Sequence, residues 1–146
     1  MCGIVGYIGN KKALPVLLDG IKNLEYRGYD SAGFAILAKN GKVASEKAVG
    51  RVANLEQKIG EPEKFNGNIG IAHSRWATHG GVTEANAHPH TECKKNVWLV
   101  HNGIIENYKE LKNDLAGLGH SFNSETDTEV LVHLIEEVGN KNPDLD

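Results

Sequence analysis

Met1-Cys2-Gly3-Ile4-Val5-Gly6 opens the chain and places a cysteine directly behind the initiator methionine. Removal of Met1 by an aminopeptidase would leave Cys2 with a thiol and a free α-amine on the same residue. An α-amine has a reference pKa of about 7.7–8.0, so it can act as a general base near neutral pH. The deprotonated thiol is a strong nucleophile. Cys2 therefore fits an N-terminal nucleophile, and a small apolar residue on a buried first strand is the alternative interpretation.

Length and composition restrict the class of protein. The chain has 146 residues, of which 40% are hydrophobic and 24% charged, with a net charge of −3, as expected for one soluble globular domain. No basic run points to nucleic acid as a partner. The absence of a signal-peptide pattern and of a long apolar run gives no reason to expect a membrane partner. Two cysteines, Cys2 and Cys93, are too few for a disulfide framework and favour a cytoplasmic location.

Hydrophobic periodicity in the first half predicts strands, helices and a hairpin. Residues 4–8 predict a buried strand, and the apolar positions of 14–24 repeat as on one face of a helix, which Asn10 could cap. Asn40-Gly41 is a strong hairpin signal between the two runs beside it. The remaining expectations are strands at 33–38 and 43–48, a short helix over 52–59, and a polar loop over 27–33 with Gly28 as a left-handed helix cap.

The second half predicts two more strands and two helices. The strands cover 70–76 and 97–101, and a polar loop over 77–91 separates them. Ser124-x-x-Asp127 resembles a capping box at the start of the last helix, and Gly139 would end that helix. The other helix covers 108–118 and is closed by Gly119. The hairpin and the lack of strict β-α-β alternation predict the α+β class, with antiparallel sheets packed against helices.

Polar residues stand at the ends of predicted strands, where a rigid scaffold can direct side chains. Asn102 and Gly103 could donate N–H groups to the oxyanion that forms when a thiolate attacks an amide, although Asn-Gly alone is more often a turn. Arg75 could bind a carboxylate through two parallel hydrogen bonds, or be a surface charge or a partner in a structural ion pair. Asp127 could bind an ammonium group, cap a helix, or do both. Together they could hold a free amino acid while Cys2 attacks its side chain.

Four histidines lie within eighteen residues and raise the question of a metal. They are His73, His79, His88 and His90. Zinc sites usually show closer pairs of cysteine or histidine than this spacing provides. We therefore expect neither a metal nor another cofactor, and we interpret Cys93 as an ordinary thiol.

Six ordered motifs run through nearly the whole chain and are together far more specific than any one alone. They are Met1-Cys2-Gly3-Ile4-Val5-Gly6, Arg27-Gly28-Tyr29-Asp30-Ser31-Ala32-Gly33, His73-Ser74-Arg75-Trp76-Ala77-Thr78-His79-Gly80, Asn86-Ala87-His88-Pro89-His90, His101-Asn102-Gly103-Ile104-Ile105-Glu106-Asn107 and Ser124-Glu125-Thr126-Asp127-Thr128-Glu129. This order resembles the glutaminase domain of the glucosamine-6-phosphate synthases, within the class II glutamine amidotransferases. Tyr29 and Trp76-Ala77-Thr78-His79 resemble the sugar enzymes more than the purine-pathway amidotransferase or asparagine synthetase.

The resemblance implies a role for each matching residue. Cys2 would be the nucleophile, and Asn102 with Gly103 would form the oxyanion hole. Arg75 would bind the α-carboxylate of L-glutamine, and Asp127 would receive its α-ammonium group. The other implied site residues are Trp76, Thr78 and His79 beside the substrate, and Arg27, Gly28 and His101 in support.

The resemblance also implies a fold and a larger enzyme. The fold would be that of an N-terminal nucleophile hydrolase, with antiparallel sheets sandwiched between helices (αββα). Residues 1–146 would form the N-terminal part of the glutaminase domain, so the fold is expected to be incomplete at its C-terminal end. The family enzymes continue into sugar-isomerase domains, which are absent from this chain; there, ammonia would pass to fructose-6-phosphate, with a homodimer as the assembled form. The alternative is a truncated, non-catalytic glutamine-binding or interaction module.

Overall fold

The computed structural model describes residues 2–77 and 80–142, and within them six strands and four α-helices follow one another. Short 3-10 helices at Glu25–Arg27 and Pro62–Phe65 complete the regular structure of these residues. The order is β1 (Gly3–Ile8), α1 (Ala13–Lys22), β2 (Ser31–Leu37), β3 (Val43–Val49), α2 (Val52–Lys58), β4 (Ile69–Arg75), β5 (His90–Thr91), β6 (Trp98–Leu99), α3 (Tyr108–Gly117) and α4 (Asp127–Lys141).

Four strands form an antiparallel sheet in the order β1-β4-β2-β3. The predicted hairpin is confirmed: β2 and β3 pair from Ser31↔Val49 to Leu37↔Val43. Gly41 turns the chain between them with φ +78°, and its N–H donates to the carbonyl of Ala38 at 2.9 Å. A glycine suits this position because a side chain rarely adopts positive φ.

Helices α1 and α2 cover one face of this sheet and form the main core with it. Leu17 and Ile21 from α1, Leu55 from α2, and Phe34 and Ile36 from β2 are all fully buried. Each such side chain contributes about 1.5–3 kcal/mol relative to an exposed one. The helical periodicity of residues 14–24 therefore identified the face of α1 that packs on the sheet.

The prediction of a fully buried first strand is wrong. β1 lies at the edge of the sheet, and its side chains alternate between the helix-covered face and the opposite face. On the opposite face Ile8 is 77% exposed, and its partner in register, Ile69, is 39% exposed. Leu37 continues this row on β2 and is 40% exposed. Because the run is apolar on both faces of the strand, it predicted burial of both faces. At the end of the sheet near Ile8, the described residues cover only one face.

The second layer consists of the two-stranded β5–β6 sheet and the helix pair α3 and α4, with α4 packed on both strands. The strand predicted over 97–101 shrinks to Trp98–Leu99. Gly119 follows α3 with φ +97°, as predicted. Gly139 does not end α4, which continues to Lys141. Antiparallel sheets packed against helices confirm the predicted α+β class.

Two further details of the helices differ from the prediction. Asn10 does not cap α1, because the helix begins later in the chain, with Lys12 at the N-cap position and no side-chain capping bond. On α4, Val130 is fully buried, but Ile135 and Val138, which were expected to face the core, are 40% and 45% exposed.

Across the described part of the chain, no helix has the length and apolarity needed to cross a membrane.

Candidate active site

A cavity of about 530 Å³ opens where the start of β1, the end of β4, the segment after β6 and the first turn of α4 meet. A volume of this size suits a small-molecule ligand. The structure brings most of the predicted site residues to this cavity, namely Cys2, Arg27, Arg75, Trp76, His101, Asn102, Gly103 and Asp127. Gly28 lies directly against Trp76. Thr78 and His79 lie outside the described residues.

Cys2 lies directly before β1, at one end of the four-stranded sheet. Antiparallel pairing of Gly3 with Ser74 places Cys2 beside the end of β4. The backbone N–H of Trp76 donates to Cys2 Sγ at 3.2 Å, and Sγ lies 3.4 Å from the Trp76 carbonyl oxygen. The side chain is half-buried. The thiolate, rather than the thiol, is the form that attacks a carbonyl carbon.

Asn102 points its side-chain amide at Cys2. Its Nδ2 donates to the Cys2 carbonyl oxygen at 3.4 Å. Its Oδ1 accepts a 2.7 Å hydrogen bond from Nε2 of His73 on β4. Burial lowers the pKa of His73 to about 4, against a smaller opposite effect of the Asn102 bond. The neutral ring therefore carries its proton on Nε2 and holds the amide with its NH₂ group directed at the nucleophile.

Gly103 packs closely against its neighbour His101. A Cβ atom at this position would lie 2.6 Å from Nε2 of His101. The other ring nitrogen of His101, Nδ1, lies 3.3 Å from Oγ1 of Thr128 on α4. A side chain at residue 103 would displace the His101 ring. The glycine therefore serves the packing of His101 in addition to exposing a backbone N–H.

Arg75 is buried and has partners within the protein. Its Nη1 donates to the Gly81 carbonyl oxygen at 3.1 Å and lies 3.7 Å from Oδ1 of Asp30. The other carboxylate oxygen of Asp30 accepts a hydrogen bond from the backbone N–H of Ala77. Asp30 thus fixes both the guanidinium and the backbone that follows β4. Sequence reasoning did not single out Asp30; its place inside the Arg27-to-Gly33 motif was the available signal.

Asp127 does not take part in the capping box that the sequence predicted. The N-cap residue of α4 is Thr126, and Asp127 is the first helical residue. Its carboxylate accepts a 2.8 Å hydrogen bond from the backbone N–H of Ile105 and lines the cavity. The residue that reaches back from the first turn is Glu129, which accepts from Ser124 N–H and Oγ, both at 2.7 Å. Two capping patterns overlap in Ser124-to-Glu129, so spacing alone could not select between them.

Glu129 is an anion in a buried position. Burial would raise its pKa, but the adjacent His133 ring and the N–H groups of Asn123 and Ser124 lower it to about 2. The charge stabilises the turn that precedes α4, since three donors converge on one carboxylate. This turn sets the position of Asp127 at the cavity.

Trp76 forms one wall of the cavity and is 52% exposed. Gly28 follows the short 3-10 helix with φ +99° and ψ 147°, so it has the predicted positive φ but not the left-handed helical ψ. A Cβ atom there would lie 2.6 Å from Cε3 of the Trp76 ring. Gly28 therefore allows the indole to lie flat on the backbone. Arg27, just before it, is exposed and lines the same cavity.

The rings of three histidines pack against one another, and two of them, His73 and His88, line the cavity. The ring centroids of His73 and His88 are 4.2 Å apart, and those of His88 and His90 are 4.6 Å apart. Burial lowers the pKa of His90 to about 3 and that of His88 further still, so both rings are neutral. Their ligand atoms do not converge as a metal site requires in the part of the chain that the structure describes.

The polar loop that follows β4 is fastened at Asn86. This buried side chain donates from Nδ2 to the Gly81 carbonyl oxygen at 2.9 Å and to Glu125 Oε2 at 3.0 Å. Its Oδ1 accepts from the Glu125 N–H at 2.9 Å. Asn86 therefore ties the loop to the turn before α4, and so links the Arg75 side of the cavity with the Asp127 side.

Comparison with known proteins shows what the chain is similar to. Residues 60–144 match the family described as "Glutamine amidotransferase domain". The glutamine–fructose-6-phosphate aminotransferase (isomerizing) of Pyrococcus horikoshii is 56% identical over 137 residues, which is 94% of this chain and 23% of that protein. The enzyme of the same name from Pseudomonas putida is 51% identical over 145 residues, 99% of this chain and 23% of that protein. This chain therefore spans less than a quarter of the curated relatives it matches.

Solved structures with the same fold are also similar in sequence. Glutamine phosphoribosylpyrophosphate amidotransferase from B. subtilis, complexed with ADP and GMP, superimposes with a TM-score of 0.77 at 31% identity. A structure titled as the allosteric regulatory enzyme of purine biosynthesis gives a TM-score of 0.78 at 32% identity. Both cover 93% of this chain, which corresponds to 29% of their own length.

Proposed function

Since this chain belongs to the family of glutamine amidotransferase domains, we propose that it hydrolyses L-glutamine to glutamate and ammonia, with Cys2 as the nucleophile. The observation that carries the proposal is the pair of donors around Cys2. Trp76 N–H is directed at its sulfur, and Asn102 Nδ2 at its carbonyl oxygen. A nucleophile and an amide donor thus face one cavity of suitable size.

The chemistry is acyl transfer through a thioester. After removal of Met1, the α-amine of Cys2 takes the thiol proton, and the thiolate attacks the side-chain carboxamide carbon of glutamine. The C–O double bond opens to an oxyanion, which Asn102 Nδ2 and the Gly103 N–H stabilise. The amine returns its proton to the nitrogen, the C–N bond breaks, and ammonia leaves. Water then attacks the γ-glutamyl thioester, giving glutamate and the free thiol.

The rest of the cavity would hold the two charges of the amino acid. Arg75 would bind the α-carboxylate, with Asp30 keeping the guanidinium in place. Asp127 would bind the α-ammonium group, while Ile105 N–H holds its carboxylate in one orientation. The neutral histidines below add no competing charge. Arg27 and Trp76 would cover the substrate, and Thr78 and His79 would lie near the carboxylate.

A second proposal concerns the molecule that accepts the ammonia. We propose that this chain acts with sugar-isomerase domains that transfer the ammonia to fructose-6-phosphate, giving glucosamine-6-phosphate. The names of relatives at 51–57% identity support this transfer of ammonia, and the chain spans about a quarter of their length. A homodimer of the longer enzyme and a cytoplasmic location are part of the same proposal. The two free cysteines are compatible with that location.

A glutamine-mimicking electrophile tests the site directly. Incubation of the purified chain should place one label on Cys2, and excess glutamine should slow the labelling. Intact mass should also show that Met1 has been lost. Labelling of Cys93 instead of Cys2, or labelling that glutamine does not slow, would refute the proposed nucleophile. Protection by glutamine with retained Met1 would favour a glutamine-binding module without turnover.

A further inference from the structure

Four side chains that are potential metal ligands meet beside α4. Cys93 follows β5, His120 follows α3, and His133 and Glu136 lie on α4. One ligand atom from each lies within 4.8 Å of the other three. None of these residues lines the candidate active site. Neither the sequence motifs nor the proposed glutaminase chemistry gives them a role.

Four of the six distances between ligand atoms in this cluster are near those between the ligands of a single tetrahedral ion, and the two from Cys93 to His120 and to Glu136 are at most 4.8 Å. Nδ1 of His120 lies 3.2 Å from Nδ1 of His133 and 3.2 Å from Oε2 of Glu136. Nδ1 of His133 lies 3.7 Å from the same oxygen and 3.8 Å from Cys93 Sγ. Zinc binds nitrogen and oxygen at about 2.0–2.2 Å and sulfur at about 2.3 Å, so its tetrahedral ligands stand roughly 3.3–3.6 Å apart.

Both imidazoles turn Nδ1 towards the cluster. Nε2 of His120 lies 3.2 Å from Oε2 of Glu137, which accepts its hydrogen bond. Nε2 of His133 faces Oε1 of the anionic Glu129 at 3.9 Å, an electrostatic contact longer than a hydrogen bond. A carboxylate behind the distal nitrogen is the usual way in which a metal-binding histidine is oriented. The two Nδ1 atoms consequently face each other.

Glu136 supplies an independent sign that a cation belongs here. Its Oε2 atom is buried, points into the cluster and has no hydrogen-bond partner. The other oxygen, Oε1, lies 3.7 Å from Nζ of Lys94. A buried carboxylate oxygen beside two imidazole lone pairs and a sulfur is costly unless a positive charge is shared among them.

We propose that Cys93, His120, His133 and Glu136 bind one divalent transition-metal ion, with Zn²⁺ as the preferred ion. The mixed sulfur, nitrogen and oxygen set suits zinc better than magnesium or calcium, which take oxygen ligands. Four protein ligands close the coordination sphere, so the site is structural rather than catalytic. Cys93 is exposed, which leaves a path for the ion to enter.

The consequence of binding is mechanical. The ion joins the loop after β5 and the segment after α3 to α4. On α4, His133 lies six residues beyond Asp127, which is roughly 9 Å along the helix axis. Within the described residues, the second layer contains a two-stranded sheet and exposes Ile135 and Val138. A metal crosslink would therefore stabilise this layer and hold α4, which carries Asp127, in place. The sequence hid the site because its ligands come from three separate segments without a short-range pair of cysteine or histidine.

Metal content and spectroscopy test the proposal on the purified chain. After loading with Zn²⁺ and dialysis, the chain should retain about one equivalent. Cobalt should give the visible bands of tetrahedral Co²⁺ and a thiolate-to-cobalt charge-transfer band. Cys93→Ser, at an exposed position where misfolding is not expected, should lose the charge-transfer band and most of the zinc. Glu137→Gln should weaken zinc binding by about 10–100-fold, because it removes the carboxylate behind His120.

Cys2→Ser is the matched control, because it removes the other free thiol and should leave zinc content and the cobalt spectrum unchanged. Zinc should also raise the thermal unfolding midpoint of the wild type and of Cys2→Ser, but not of Cys93→Ser. Less than a tenth of an equivalent of retained zinc in the folded wild type would overturn the proposal. In that case a shared proton, and not a metal ion, would join the two imidazoles. Equal zinc retention by Cys93→Ser and wild type would overturn the assigned ligand set. Both outcomes are independent of glutaminase activity.

Discussion

His73 and Asn102 are joined by a 2.7 Å hydrogen bond from imidazole Nε2 to amide Oδ1. This contact determines which end of the Asn102 amide faces Cys2. Without the imidazole N–H, the amide would lose the partner that holds its NH₂ group toward the nucleophile. The relationship connects a buried position on β4 to the chemistry at the start of β1, and it makes His73 a positioning residue.

His73→Phe should therefore lower kcat by about 10-fold with little change in KM, because the donor is misoriented only part of the time. Asn102→Ala removes the donor and should lower kcat by about 10²–10³-fold. Steady-state kinetics on both variants and on the double variant form a double-mutant cycle. In the Asn102→Ala background the His73 substitution should have almost no further effect. Fully multiplicative losses would mean that His73 acts on something other than Asn102.

Asp127→Asn should raise the KM for glutamine by about 10-fold or more, since a hydrogen bond to a charged group contributes about 1.5–3 kcal/mol. The asparagine Oδ1 can still accept the hydrogen bond from Ile105 N–H, so the thermal midpoint should change little. Asp114→Asn is the charge-matched control on the exposed part of α3. If both variants gave the wild-type KM, the ammonium group would be bound elsewhere.

The buried histidines make stability depend on pH. The pKa values of His73 and His90 in the folded chain, about 4 and about 3, lie below the usual 6.5, so the unfolded chain binds protons first as pH falls. The free energy of unfolding should therefore decrease as pH falls from about 6.5 towards 4, by up to about 1.4 kcal/mol per pH unit for each such histidine.

Urea unfolding at several pH values above 5, with chelator present to exclude metal release, would measure this slope. His90→Gln should make it shallower, because the glutamine can keep a bond to Thr126 without titrating. The window excludes the effect of Glu129, whose depressed pKa removes stability only as pH falls below about 4.5. An identical slope in wild type and variant would contradict the assignment of His90.

The exposed row Ile8, Ile69 and Leu37 should make the chain associate with itself, because an uncovered apolar sheet face next to an edge strand favours association. Replacing Ile8 and Ile69 together by threonine keeps β-propensity and should shift sedimentation towards the monomer. Tyr26→Ser, at a site that is 86% exposed but outside the sheet, is the control. A wild type that stays monomeric at high concentration would show that the face does not mediate association.

Local patterns predicted the elements whose partners are adjacent in sequence. The hairpin around Gly41 and the buried face of α1 follow from turn chemistry and periodicity. β1 was misjudged because burial depends on which layer covers a strand, and that is not a local property. The capping pattern at Ser124 was assigned to Asp127 rather than Glu129 because the two possible frames differ by only two residues.

The sequence predicted the residues of the candidate site itself, but not the residues that orient them. Motifs located Cys2, Asn102 and Arg75, and the family resemblance gave them roles. Asp30, His73 and Asn86, which orient those groups, act across 29 to 47 residues of sequence. The cluster of Cys93, His120, His133 and Glu136 is likewise a product of tertiary packing alone.

Glutamine turnover by the purified chain tests the central claim most directly. Glutamate and ammonia would be measured together for the wild type and for Cys2→Ala, with circular dichroism confirming that both are folded. We expect the wild type to release the two products in equal amounts and Cys2→Ala to release neither. Continued release by Cys2→Ala, or no release by a folded wild type lacking Met1, would contradict the assignment of Cys2 as the nucleophile of a glutaminase.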